Sequence, residues 1–164
     1  MRLLTLTLAA ATAAATPMSA QANIVPVGQV FRCTPTAVWD GDGPIWCAEG
    51  PKIRLAGMAA REIDGSCRPR QPCPSRSGVD ARNALVRLLG SARGYLPEGH
   101  VRVTGLALSC VSTGAAKGDR TGAWCRRPDG SDLSCLMIAT GTALRWERYD
   151  PDNRCNVASK PWQR

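Results

Sequence analysis

Histidine, aromatic residues and long apolar runs are what this chain has least of. One histidine, His100, stands alone among 164 residues, and no two cysteines are spaced C-x-x-C, so a zinc site is not expected. Aromatic residues make up 5% of the chain, thin for a packed globule, while the 44% apolar share is ordinary and excludes a disordered tail or a collagen-like fibre. Past the N-terminal segment no apolar run approaches the roughly 20 residues that a membrane-spanning helix needs. The length is that of one domain. What is plentiful is positive charge: 21 Lys+Arg stand against 13 Asp+Glu, a net +8, and 18 of the basic residues are Arg. A guanidinium fork grips phosphate bidentately, but a codon bias toward Arg gives the same composition, and composition leaves both readings open.

Arg2 is followed by LLTLTLAAATAAAT, then by Pro17 and the tripeptide Ala20-Gln21-Ala22. This has the form of a secretory signal peptide with an A-x-A cleavage site. Residues 1–22 are expected to be removed, with a cut after Ala20 as the alternative, giving an exported protein, periplasmic or secreted. All eight cysteines, at positions 33, 47, 67, 73, 110, 125, 135 and 155, lie beyond that point, and an even number in an exported domain implies disulfides. Cys33 and Cys47 flank the turn signal Asp40-Gly41-Asp42-Gly43, Cys110 and Cys125 flank the turn-rich stretch 112–121, and Cys67 and Cys73 bracket a Pro-rich loop. Cys135 is left for Cys155, tying down a tail expected over 150–164 behind a domain over 23–149.

The local patterns predict three strands, a helix, two strands and a short helix. Strands are expected over 24–39, 45–48 and 52–56, with a long aperiodic loop over 61–76. Ser77 and Asp80 open a capping box, after which Ala81, Ala84, Leu85, Leu88 and Leu89 share a helical face that Gly90 ends. Strands over 101–110 and 123–127 follow, then a short helix over 133–140. That order is the one expected of an OB-fold, a five-stranded Greek-key barrel whose face and loops bind oligonucleotides or oligosaccharides.

The residues able to carry chemistry gather around the first three strands. Asp40-Gly41-Asp42 places two carboxylates at a tight turn, and Arg54 precedes Arg61-Glu62-Ile63-Asp64. Such oxygen donors suit a hard cation like calcium, which takes about six to eight of them. Taken singly, each has a plainer reading as a turn, a solvated loop charge or a surface strand residue. Trp39, Trp46, Trp124 and Trp146 are expected in core packing, His100 on the surface, and Arg68, Arg70 and Arg76 as solvated charges of the long loop able to touch a nucleic acid backbone.

Val38-Trp39-Asp40-Gly41-Asp42, followed by Ile53-Arg54-Leu55-Ala56-Gly57-Met58-Ala59-Ala60-Arg61-Glu62, resembles the signature of the thermonuclease family, the staphylococcal nuclease homologues: an acidic DGDT turn and then RLxGIDAPE. Gly118-Asp119-Arg120-Thr121-Gly122-Ala123-Trp124-Cys125 is similar to the family's YGRxxAxC, and the stretch from Asp129 to Ala143 is similar to its second helix and following G-x-A. The resemblance runs from about Val38 to Tyr149. It implies a calcium-assisted hydrolase of phosphodiester bonds in DNA and RNA, with Arg54 and Arg120 as the catalytic arginines, Glu62 as the carboxylate that activates or positions water, and Asp42 as a direct calcium ligand. No nucleotide cofactor is implied, and a monomer with nucleic acid as substrate or ligand is expected.

The departures from the family pattern point at the metal. Ala59 replaces the second calcium-binding aspartate, Ala60 occupies a position that supplies only a backbone oxygen, Arg61 replaces the proline before the glutamate, and Gly43 replaces threonine. Ala59 and a cationic Arg61 are both expected to weaken calcium binding, with Asp40 and Asp64 as the candidate helpers. The family's C-terminal helix is also replaced, by Asp150-Pro151-Asp152-Asn153-Arg154-Cys155. Two functions follow: an exported nuclease with an altered metal site, or an OB-fold module that has lost catalysis and binds nucleic acid, another polyanion or a protein.

Overall fold

The computed structural model of the chain describes residues 24–156. The expected signal peptide and the last residues of the expected tail lie outside that range. Strand β1 (Val30–Cys33) and strand β2 (Pro35–Val38) are separated by Thr34 alone. They are followed by β3 (Ile45–Cys47), β4 (Lys52–Leu55), β5 (Met58–Ala60) and helix α1 (Gly78–Leu89). The second half holds β6 (Gly90–Tyr95), β7 (Val101–Gly105), β8 (Leu108–Ala115), β9 (Arg120–Arg126), helix α2 (Leu133–Ala139) and β10 (Ala143–Arg145).

Eight of the strands form one sheet in the order β1-β8-β9-β4-β3-β2-β7-β6, antiparallel except for the parallel pair β4 and β9. β5 and β10 make a small separate ladder. The sheet curls because two of its strands are shared. The bend at Thr34 lets β1 pair with β8 while β2 pairs with β3 and β7, and a break at residues 106–107 does the same for β7 and β8. The result is a mainly β, mixed, barrel-like half-shell with two helices.

Alternation decides which side chains enter the shell. β8 exposes and buries successive residues along its whole length, the period of two that a half-buried strand requires. Val38, Ile45, Ile53, Leu55, Met58, Leu85, Leu133 and Met137 fill the interior. α1 closes it from one side. Its first turn is held by Ser77, whose Oγ accepts from Asp80 N at 3.0 Å and donates to Asp80 Oδ2 at 2.8 Å, which is the capping box expected of this sequence. α2 is capped by Asp132, which accepts from Ser134 N at 3.0 Å and Cys135 N at 3.3 Å.

Four disulfides staple these elements. Cys33–Cys47 joins β1 to β3, Cys110–Cys125 crosses between directly opposed residues of β8 and β9, Cys67–Cys73 closes the long loop, and Cys135–Cys155 ties the C-terminal segment to α2. A bridge closing about 15 residues removes unfolded-state freedom worth about 3 kcal/mol, and such sets persist in oxidising compartments. Among the described residues no helix is long and apolar enough to cross a membrane.

The strand boundaries differ from those expected. The first strand starts at Val30; before it, Val25 bonds to side chains, its N donating to Thr121 Oγ1 at 3.0 Å and its O accepting from Ser112 Oγ at 2.7 Å. The strand expected over 101–110 is cut in two, and the one expected at Ala123 begins three residues earlier at Arg120. β5, β6 and β10 are additional; β6 is exposed throughout and so carries no apolar alternation to read. Of the four tryptophans expected in core packing, Trp124 is buried whereas Trp39, Trp46 and Trp146 are half-buried at the surface.

Candidate functional site, an anion pocket beside a buried carboxylate turn

The Asp40-Gly41-Asp42 turn leaves β2 and passes against β5 and α1. Gly41 is required there: a Cβ would lie 2.4 Å from Ala81 Cβ and 2.8 Å from Ala60 Cβ. Asp42 N donates to Asp40 Oδ1 at 3.1 Å, which closes the turn and buries both carboxyls. Asp42 Oδ2 accepts from Ala60 N at 3.2 Å, and Oδ1 accepts a charge-assisted bond from Arg54 Nη1. Burial pushes the Asp42 carboxyl above its ordinary range against the pull of Arg54. Burial, with the adjacent Asp42 charge adding to it, pushes Asp40 up to about 8, so Asp40 is largely protonated at neutral pH.

Arg54 reaches this turn because Ile53 and Leu55 of β4 point inward and leave Lys52 and Arg54 on the opposite face. The parallel partner β9 sets Lys52 opposite Arg120 and Arg54 opposite Gly122. Gly122 keeps the floor between the two arginines open, since a Cβ there would lie 2.5 Å from Thr113 Oγ1. Arg120 Nε donates to Lys117 O at 2.7 Å, which anchors the guanidinium. Burial and then the neighbouring Arg54 cation lower the Arg120 pKa, while Asp42 and Asp40 pull it the other way. Arg54 and Arg120 come to the border of one cavity.

They line a cavity of about 450 Å³ together with Arg68, Lys117, Trp146 and Tyr149. Among its lining residues there are four cations and no carboxylate. Trp146 and Tyr149 meet edge to face at 4.7 Å, and the Arg54 guanidinium lies 5.9 Å from the Trp146 ring. This aromatic wall is held from behind. Trp146 N donates to Gly57 O at 2.9 Å, and the buried Asp150 accepts from Arg145 Nε at 2.9 Å and from Arg154 N at 2.9 Å. Asp150 therefore packs with the body of the protein, although it was expected to begin the tail.

Glu62 stands behind the pocket wall. Its Oε1 accepts from Arg68 Nε at 2.6 Å. Arg61 does not approach the carboxylate turn as a cation; its guanidinium turns into the loop, where Nε and Nη2 donate to Pro74 O at 3.1 and 2.8 Å and Nη1 to Gly65 O at 2.7 Å. Carbonyls of the loop thus hold the Arg61 side chain. Asp64 is exposed and caps its own turn through Ser66 N at 2.9 Å. His100 is not a simple surface residue: its ring lies 4.9 Å from Trp39 and 4.7 Å from Trp46, and burial lowers its pKa.

The donors present do not fit a resident calcium ion. Both Asp42 oxygens already accept protein hydrogen bonds, Glu62 is held by Arg68, and Ala59, in β5, is fully buried and offers a methyl group where the family pattern has an aspartate. Among the described residues no three His, Cys, Asp or Glu side chains form a group able to hold a metal.

Arg68, Lys117, Trp146 and Tyr149 are the pocket residues that sequence reasoning did not place there. Arg68 carried only the loop-wide signal of basic charge, and the aromatic pair lies past the last periodic element. No protein-family model matches the chain, and no curated protein matches it.

Proposed function

We propose that the chain is an exported phosphodiesterase of thermonuclease-like design, acting on single- or double-stranded nucleic acid at the cavity between β4, β9 and the Trp146–Tyr149 wall. The observation that carries this reading is the convergence of Arg54 and Arg120 on one concave site with aromatic rings beside them. Guanidinium groups there would bind the non-bridging phosphate oxygens and stabilise the charge that grows on them as the bond breaks, while the rings offer a face to a flanking base. In the hydrolysis, a water oxygen bonds to phosphorus, its proton passes to the carboxylate of Glu62, which the pocket residue Arg68 holds beside the cavity, and the opposite P–O bond breaks with its oxygen taking up a proton from solvent water. The OB-fold reading fits the pairing once β1–β2 and β7–β8 are each counted as one bent strand, for then strands one, two, three, five and four follow one another around the curl.

A second reading is favoured by one contact. Glu62 is occupied by Arg68, which is the arrangement of a module that binds nucleic acid without cutting it. Incubating the oxidised protein with labelled DNA and RNA, alongside Glu62→Gln and Arg120→Ala, separates the two. Cleavage lost in both variants supports the hydrolase. Salt-sensitive binding without cleavage in the parent protein supports the binder, and neither binding nor cleavage at low salt overturns both.

A further inference from the structure

Arg68, on the long loop after β5, brings a cation to Glu62 and to the border of the cavity. Arg68 is fixed by three constraints. It follows Cys67 inside the small ring that Cys67–Cys73 closes, its Nε is bonded to Glu62 Oε1 at 2.6 Å, and it lines the same cavity as Arg54 and Arg120. The ring is itself attached to β5 through Gln71, whose Nε2 donates to Ala60 O at 2.6 Å, one residue beyond the position where alanine replaces a metal ligand. The Glu62 hydrogen bond raises the Arg68 pKa, with the carboxyls of the acidic turn adding to it.

We infer that Arg68 is a third phosphate-binding cation, and that the fixed guanidinium, in place of a divalent metal, supplies the positive charge beside Glu62. The inference rests on the phosphodiester reading of the pocket. Three guanidinium groups converging on one phosphate give the planar, forked hydrogen bonding that a phosphodiester accepts, and a permanent cation needs no free carboxylates to hold it. This accounts for the acidic ligand missing at Ala59.

The test is binding of a fluorescein-labelled single-stranded oligonucleotide, read by anisotropy at low salt in EDTA and again in millimolar calcium chloride. The wild-type affinity is expected to agree within about twofold in the two buffers. Arg68→Gln is expected to weaken binding by about tenfold or more, the size of a lost charge-assisted hydrogen bond, whereas Arg70→Gln, an exposed change in the same loop with the same loss of charge, stays within about twofold. Arg68→Lys keeps the charge without the planar fork and is expected to recover part of the loss, at least about threefold over Arg68→Gln; no recovery means that a cation at this position does not carry the binding, and overturns the inference. Calcium-strengthened binding overturns it, as does Arg68→Gln behaving like Arg70→Gln. Arg120→Ala separates the two levels: if it weakens binding while Arg68→Gln does not, only the role of Arg68 falls, and if neither matters, the reading of the pocket falls with it.

Discussion

Arg54 and Asp42 form an ion pair whose carboxylate partner is almost wholly removed from solvent, the two side chains being 16% and 3% exposed. The pair is a structural commitment as well as a feature of the pocket. Removing the cation leaves a buried carboxylate whose remaining hydrogen bond, from Ala60 N, does not neutralise it. Arg54→Ala is therefore expected to lower unfolding stability by about 3 kcal/mol at neutral pH, measured by urea denaturation of the oxidised protein. A loss below about 1 kcal/mol would show that the pair is not buried in solution.

Stability is expected to fall as pH rises from about 4 to about 8. The ordinary carboxyl value is 3.8, and Asp40 in the fold titrates near 8 because of burial, with Asp42 raised as well. Across that window the folded state holds protons that the unfolded chain has released, so each step upward in pH favours unfolding, by at most about 1.4 kcal/mol per pH unit for each such proton. The contribution is fully present below pH 4 and gone above about 8. Asp40→Asn should flatten the profile, and a denaturation midpoint that stays level or rises between pH 5 and 8 in the parent protein would contradict the burial of this carboxyl.

Gly41→Ala should cost about 2 kcal/mol, since the added methyl overlaps Ala81 and Ala60 and forces α1 away from the acidic turn. Thermal unfolding in non-reducing buffer measures it. An unchanged midpoint would mean that the turn and α1 are not in contact.

Trp146→Ala removes the aromatic wall but neither arginine. Oligonucleotide binding is expected to weaken by about 1 to 3 kcal/mol, as for a lost base-stacking surface, with the salt dependence of binding unchanged because no phosphate contact is lost. A changed salt slope at unchanged affinity would contradict the assignment of Trp146 to a base.

Much of this arrangement was legible in the sequence for identifiable reasons. Ser77 with Asp80 and the Ala81–Leu89 face announced α1, and the strand expected over 52–56 carried Arg54. The cysteine pairs were readable because they flank turns, which places their strands side by side. What escaped had no periodic signature. β6 is exposed on both faces, and Arg68, Trp146 and Tyr149 come from aperiodic segments whose positions are set by a disulfide ring and by the buried Asp150. The direction of Arg61 was equally hidden, because backbone carbonyls of its own loop decide it.

The bend at Thr34 has a consequence for solubility. Because β1 continues directly into β2, the chain that ends the sheet on one side also lies within it, and that border is only four residues long. β6 ends the other border and is the strand left to meet a neighbouring molecule. Its sequence, Gly-Ser-Ala-Arg-Gly-Tyr, is poorly suited to that: two glycines weaken an extended template, and Arg93 places a like charge between any two copies that align. The β6 edge is in this way poorly suited to edge-to-edge aggregation.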